Sequence, residues 1–177
     1  MMARRPFLTL AMAMAVLCVL PGAADAQSKL PKPSGQVILS VKGAIGQSNT
    51  LDGGVNEVRF DRAMLERLPQ SRLETNTPWT EGLQRFEGIR LVELLRLLEA
   101  GGKEITLSAL NDYSVTMNLR RYAPFDPLLA LRHNGEPMRI ADKGPIWLVF
   151  PQDDFPELDQ AQVHDLWVWQ IREIVVE

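Results

Sequence analysis

Few side chains in this sequence could do chemistry unaided: one thiol, Cys18, two imidazoles, His133 and His164, and the adjacent carboxylates of Asp153 and Asp154. A thiolate can act as a nucleophile or a soft metal ligand. Cys18, however, lies in an apolar N-terminal run of the kind that is cleaved off on export. No ligand spacing links the two histidines, and each reads as a surface or hydrogen-bonding residue rather than a metal ligand. Serine hydrolysis needs a histidine poised beside a serine, and nothing in the sequence pairs Ser71, Ser108 or Ser114 with either histidine. Asp153 and Asp154 could divide acid and base roles, yet between Pro151 and Pro156 they read as a solvated loop. No phosphate loop, dinucleotide fingerprint or nucleophile elbow occurs.

The N-terminus reads as a targeting segment. Arg4-Arg5 precede an apolar run from Phe7 to Leu20, Pro21-Gly22 break it, and Ala24-Asp25-Ala26 forms a small-x-small cleavage site. The expectation is a signal peptide over 1–26, cleavage near Ala26, and a soluble periplasmic product without stable membrane insertion. Arg4-Arg5-Pro6-Phe7-Leu8 resembles the twin-arginine signal, although Ala3 stands where Ser or Thr is expected and the strongly apolar run suits ordinary secretion. A lipid anchor at Cys18 is rejected because Leu17 occupies a position that requires a small residue. Removing 26 of the 177 residues leaves 151, enough for one domain with a substantial core. It also removes the single cysteine and shifts the formal charge from −3 to −4, because Arg4, Arg5 and Asp25 leave with it. A mildly acidic chain without a basic cluster is a poor partner for nucleic acid.

The elements that must position any site follow from the spacing of apolar residues. Residues 27–36 read as a flexible leader and 37–177 as the domain. Val37–Val41 and Val55–Phe60 read as strands, Asp61 as the cap of a short helix carrying Met64, Leu65 and Leu68, and Arg72–Thr77 as extended chain. Leu91, Leu94, Leu95 and Leu98 recur at helical spacing, with Ala100-Gly101-Gly102 as the left-handed stop. Ile105, Leu107 and Ala109 alternate with polar residues, Asn111-Asp112 is a turn pair, and Tyr113–Leu119 returns as the antiparallel partner. Ile146–Phe150, bracketed by Pro145 and Pro151, is apolar on both faces and reads as a buried central strand around which the neighbours are arranged, paired through the Asn134-Gly135 turn with Leu128–Leu131. Gly144-Pro145 lets the chain approach another segment closely at that strand's start, or simply makes a tight turn. Trp167–Ile171 and Ile174–Val176 read as closing strands. Short strands with two helices imply an α+β domain with a mixed, largely β core.

A set of motifs in a particular order carries a resemblance. Thr77-Pro78-Trp79, Phe86-Glu87-Gly88-Ile89-Arg90-Leu91, Ala109-Leu110-Asn111-Asp112-Tyr113, Asn134-Gly135-Glu136-Pro137-Met138, Lys143-Gly144-Pro145 and Trp169-Gln170-Ile171 together resemble the molybdopterin-binding domain of sulfite-oxidase type, in its short bacterial periplasmic form. The resemblance implies a compact α+β domain with a pocket for pterin-bound molybdenum. It also implies a cysteine ligand just before the tryptophan loop. Here that segment is Leu73-Glu74-Thr75-Asn76-Thr77. A threonine hydroxyl is neither soft nor anionic at neutral pH, so the thiolate centre cannot be assembled unchanged. A pterin phosphate would favour arginines, lysines or helix amides. Arg120 and Arg121 could supply charge, but Asp153, Asp154, Glu157, Asp159 and Asp165 crowd the last third of the chain.

Two functions of different kinds are therefore expected. In one, the domain lacks molybdenum-thiolate catalysis and binds a small molecule or a protein, such as a periplasmic or membrane sensor or a redox partner. Trp79, Tyr113 and Trp169 would then be recognition aromatics, with Asn111, Asp112 and Arg120 as polar contacts and Thr75, Gly144 and Pro145 near the same pocket. The competing structural roles are a plain turn at Asn111-Asp112 and core filling by the tryptophans. In the other, the chain keeps molybdopterin through other contacts and serves as an oxidoreductase or accessory subunit. The first expects no cofactor; the resemblance alone implies molybdopterin.

Overall fold

A computed structural model describes residues 30–50 and 54–177. The expected signal peptide, its cleavage point and Cys18 lie outside the described residues. Among the described residues ten strands form two sheets. In the first, β1 (Val37–Gly43), β2 (Glu57–Asp61), β5 (Glu104–Ala109), β6 (Ser114–Asn118) and β10 (Ile171–Val176) lie in the order β2-β1-β10-β5-β6. The first and last strands run parallel side by side, and every other pairing in that sheet is antiparallel. In the second, β3 (Ser71–Thr75), β4 (Gln84–Arg90), β7 (Leu128–His133) and β8 (Glu136–Pro137) follow in chain order, and β9 (Trp147–Val149) pairs with β7.

The period-two pattern sets which face of each strand is buried. Leu39 and Val41 on β1, Val58 and Phe60 on β2, and Ile105, Leu107 and Ala109 on β5 turn into one core shared by both sheets and the two longer helices. The first of those helices, α1 (Arg62–Arg67), begins where expected: the Asp61 carboxylate accepts from the Met64 amide at 2.8 Å, and Met64 and Leu65 are buried. Asp61 also accepts from the amides of Ser34 and Gly35, each at 2.8 Å. Asn49 Nδ2 donates to the Pro31 carbonyl at 2.8 Å. Residues 30–36, expected as a flexible leader, are therefore irregular but tied to the domain. The three amides around Asp61 hold its carboxyl below the usual carboxylate range, the Gly35 bond contributing most.

The second helix, α2 (Leu91–Leu97), buries Leu91, Leu94 and Leu95, and Leu98 behind them. Its stop differs from expectation. The left-handed residue is Glu99, with φ 54°, rather than Gly101 or Gly102. Gly102 serves a close approach instead: a Cβ there would lie 2.4 Å from the Glu177 carbonyl oxygen.

The largest correction concerns Ile146–Phe150. All five residues are fully buried, as their composition demands, but the segment is not a central strand. Only Trp147–Val149 pair as β9, on one side, with β7. The other side is closed by irregular chain: the Leu148 amide donates to the Val168 carbonyl at 2.8 Å, the Ile171 amide to the Ile146 carbonyl at 3.1 Å, and Trp147 bridges Trp169. Trp167–Gln170, expected as strand, is therefore this covering segment, and Gln170 turns out of it at φ 56°. At its start, Gly144 meets the Met138–Arg139 backbone, where a Cβ would lie 2.3 Å from the Met138 carbonyl oxygen, and its amide donates to the Arg139 carbonyl. Gly144 thus makes the close approach expected at that strand's start, against the backbone of residues 138–139 that its own turn brings back.

Candidate functional site

Three separated segments converge on one cleft of about 200 Å³, lined by Trp79, Ala109, Asn111, Tyr113, His164, Asp165, Trp167, Val168 and Trp169. The first is the loop after β3. Thr77 Oγ1 accepts from the Trp79 amide at 3.1 Å and shares a hydrogen bond with Thr80 Oγ1 at 2.8 Å, which fixes the turn that presents the half-exposed indole of Trp79. The second is the β5–β6 hairpin. Asn111 Oδ1 accepts from the Tyr113 amide, Asp112 takes the left-handed position with φ 65°, and the Ala109 amide donates to the Tyr113 carbonyl at 2.8 Å. The third begins at the end of the short helix α4 (Ala161–His164) and continues through Trp167–Trp169.

Cross-links between these segments set the shape of the cleft. The Tyr113 hydroxyl donates to the Asp165 backbone carbonyl at 2.9 Å, tying the hairpin to the chain after α4. Desolvation, reinforced by the Asp165 carboxylate, raises the Tyr113 pKa above its ordinary value, which keeps the phenol a neutral donor. Trp79 and Trp169 meet edge to face, with centroids 5.4 Å apart and planes at 77°. His164 lines the cleft, but its Nε2 lies 3.1 Å from the Oδ1 of Asp159, a residue outside the lining. The indole N–H of Trp167, buried, has no partner among the described residues.

The structure brings together four of the residues singled out from sequence, Trp79, Asn111, Tyr113 and Trp169. Asp112 sits beside them in the turn, but its carboxylate pairs with Arg172 at 2.9 Å. Arg120 lies on α3 (Leu119–Tyr122), past the far end of β6. Five residues of strand separate that end from the Asn111 turn, a distance of about 17 Å. Gly144 and Pro145 are buried in their turn and do not line the cleft. Sequence reasoning did not place His164, Asp165, Trp167, Val168 or Ala109 at a site: His164 read as a surface or hydrogen-bonding residue, Asp165 as one of several acidic groups, and the others as strand. The Trp167-Val168-Trp169 run was legible as buried chain, but its apolar composition suited a strand as well as a turn.

Thr75, standing where the resemblance implies a metal ligand, is completely buried and does not line the cleft. Its hydroxyl donates to the Asn76 carbonyl at 3.1 Å and accepts from the Asp153 amide at 3.3 Å. Asp153 returns the contact, its carboxylate accepting from the Asn76 amide and side chain at 3.0–3.1 Å. Thr75 thus closes a latch between the loop after β3 and the loop after β9. A pterin-bound molybdenum does not fit these residues: the hydroxyl is engaged by backbone, and the cleft lining offers no Lys or Arg for a phosphate while presenting the Asp165 carboxylate. Among the described residues no three His, Cys, Asp or Glu side chains gather as a metal-binding group.

The arrangement of two five-stranded sheets has a counterpart among solved structures. The chain is similar to the sulfane dehydrogenase SoxCD from Paracoccus pantotrophus, at 18% identity and a TM-score of 0.55, covering 78% of this chain and 37% of that chain. The fold is sulfite-oxidase-like. This sulfite-oxidase-like domain spans little more than a third of the length of that chain, and at such identity the likeness concerns the fold alone. No protein-family model and no curated protein matches the chain. No helix among the described residues is long and apolar enough to cross a membrane.

Proposed function

We propose that this chain is an exported periplasmic binding module, related to molybdopterin-binding oxidoreductase domains, that recognises a small molecule or protein partner without molybdenum-thiolate catalysis of its own. The observation that carries the reading is the cleft itself. Trp79, Tyr113, Trp167 and Trp169 gather around about 200 Å³ without a Lys or Arg among the lining residues. Aromatic walls with a few directed polar groups are the usual make-up of a recognition site. Exposure supports the same reading: Trp79 is 45% and Tyr113 43% exposed, far more than core filling requires. The partner classes that suit such a surface are a small ligand, a sensor domain or a redox protein. Thr75 carries the negative half of the proposal, since a buried hydroxyl held by two backbone groups is not a replacement for a thiolate.

The test is elemental analysis of the protein purified after export from its native host, together with pterin fluorescence after denaturation. The expected result is no stoichiometric molybdenum and no pterin. Molybdenum and pterin at one equivalent each would overturn the proposal in favour of a cofactor-bearing oxidoreductase or accessory subunit.

A further inference from the structure

We infer that the cleft recognises an organic cation, an alkylated ammonium or a guanidinium, held against its tryptophans with the Asp165 carboxylate as counter-charge. The inference rests on the reading of the cleft as a binding site and specifies what that site would take. Four of the nine lining side chains are Trp or Tyr, and the faces of such rings carry negative potential that attracts cations. Charge points the same way. Asp165 is the one lining residue with a fixed formal charge, and the imidazole of His164 is turned to Asp159.

One tryptophan of the cleft lining already meets an ammonium within the fold. Lys143 Nζ sits 5.8 Å from the ring centroid of Trp169 and 5.4 Å from that of Trp147, within the range of a cation–π contact. Trp169 is therefore shared between an internal cation and the cleft. Competing ligand chemistry is less well served. An anion would meet Asp165 without a neutralising partner in the lining, and the Tyr113 hydroxyl is already committed to the Asp165 carbonyl. The volume sets a limit on size. At about 200 Å³ the cleft is smaller than the roughly 300–1,000 Å³ of sites for drug-sized ligands, and it suits a compact amine or a single Lys or Arg side chain.

The exported protein is titrated with choline and with neopentylcarbinol, its carbon-for-nitrogen analogue, following intrinsic tryptophan fluorescence. A peptide bearing one central arginine is titrated in parallel. The expected result is saturable quenching by choline or by the arginine peptide, with choline at least about tenfold tighter than neopentylcarbinol if the source is a free amine. Preference for the peptide over choline, lost when its arginine is replaced by citrulline, would identify a protein side chain as the source. Asp165→Asn should weaken the preferred ligand about fivefold, and Trp79→Ala should abolish saturation with the thermal midpoint and the urea-unfolding slope retained. Equal binding of choline and its neutral analogue, or of the arginine and citrulline peptides, refutes the cation while leaving a binding module. Failure of all four probes to saturate also refutes it. Stoichiometric molybdenum and pterin would instead remove the parent reading.

Discussion

Replacing Thr75 by valine removes one oxygen from a fully buried site and keeps its shape, so its effect isolates what that hydroxyl does. Two hydrogen bonds are lost, to the Asn76 carbonyl at 3.1 Å and from the Asp153 amide at 3.3 Å. Each contributes a net ~0.5–1.5 kcal/mol. Both partners belong to exposed residues, so water can recover part of the loss, and the added methyl gains some burial. The balance is a destabilisation of about 1–2 kcal/mol. For a chain of this length that lowers the thermal midpoint by about 2–8 °C. Urea unfolding followed by circular dichroism should show a lower midpoint at unchanged slope. Ligand-dependent fluorescence from the cleft should remain, because Thr75 does not line it. Stability within about 0.5 kcal/mol of wild type would refute the latch, and loss of cleft binding in a stably folded Thr75→Val protein would refute the separation between latch and cleft.

Gly88→Ala should cost about 3 kcal/mol, since its Cβ would fall 2.1 Å from the Leu129 carbonyl oxygen and 2.8 Å from Ala130 Cα, backbone atoms of the paired strand; urea melts of the variant measure this. Burial, reinforced by Lys143, lowers the His133 pKa below its ordinary 6.5, so the unfolded chain takes up that proton first. The associated stability is present above about pH 6.5 and is lost as pH falls through the folded value. His133→Phe keeps a ring stacked on Phe86 and should flatten stability between about pH 7 and pH 5, as pH-dependent denaturation will show. Asp61 is depressed, so its contribution is present above its ordinary value of 3.8 and disappears with acid below it. Asp61→Ala should shrink that acid-labile part and raise hydrogen exchange at Ser34, Gly35 and Met64, whose amides lose their acceptor.

Local chemistry was readable wherever it is decided by neighbours in the chain. Asp61 caps α1 through an amide three residues on, and the alternation of Ile105, Leu107 and Ala109 yields β5 with its partner across the Asn111-Asp112 turn. The misreadings arose where several backbones satisfy one apolar pattern. Ile146–Phe150 and Trp167–Ile171 are both apolar enough for strands, yet the first yields only three paired residues, and in the second Trp167–Gln170 is the irregular chain that covers that strand's open edge before β10 begins at Ile171. Gly101-Gly102 offered a left-handed stop, but Glu99 takes that conformation while Gly102 packs against Glu177.

The sequence by itself determined which segments are buried, the turn at Asn111-Asp112, and that no cysteine exists among residues 27–177 to serve as a thiolate. Burial and turn preference depend on side-chain chemistry that is present before folding. Only the tertiary structure decided how the four tryptophans divide their work: Trp147 fills the core, Trp167 is buried against the cleft, and Trp79 and Trp169 meet edge to face in its lining. Trp79, Tyr113 and Trp169 lie far apart in the chain, and their convergence depends on long-range closure, of which the Tyr113 hydrogen bond to Asp165 is one part. No periodicity or local spacing encodes that encounter.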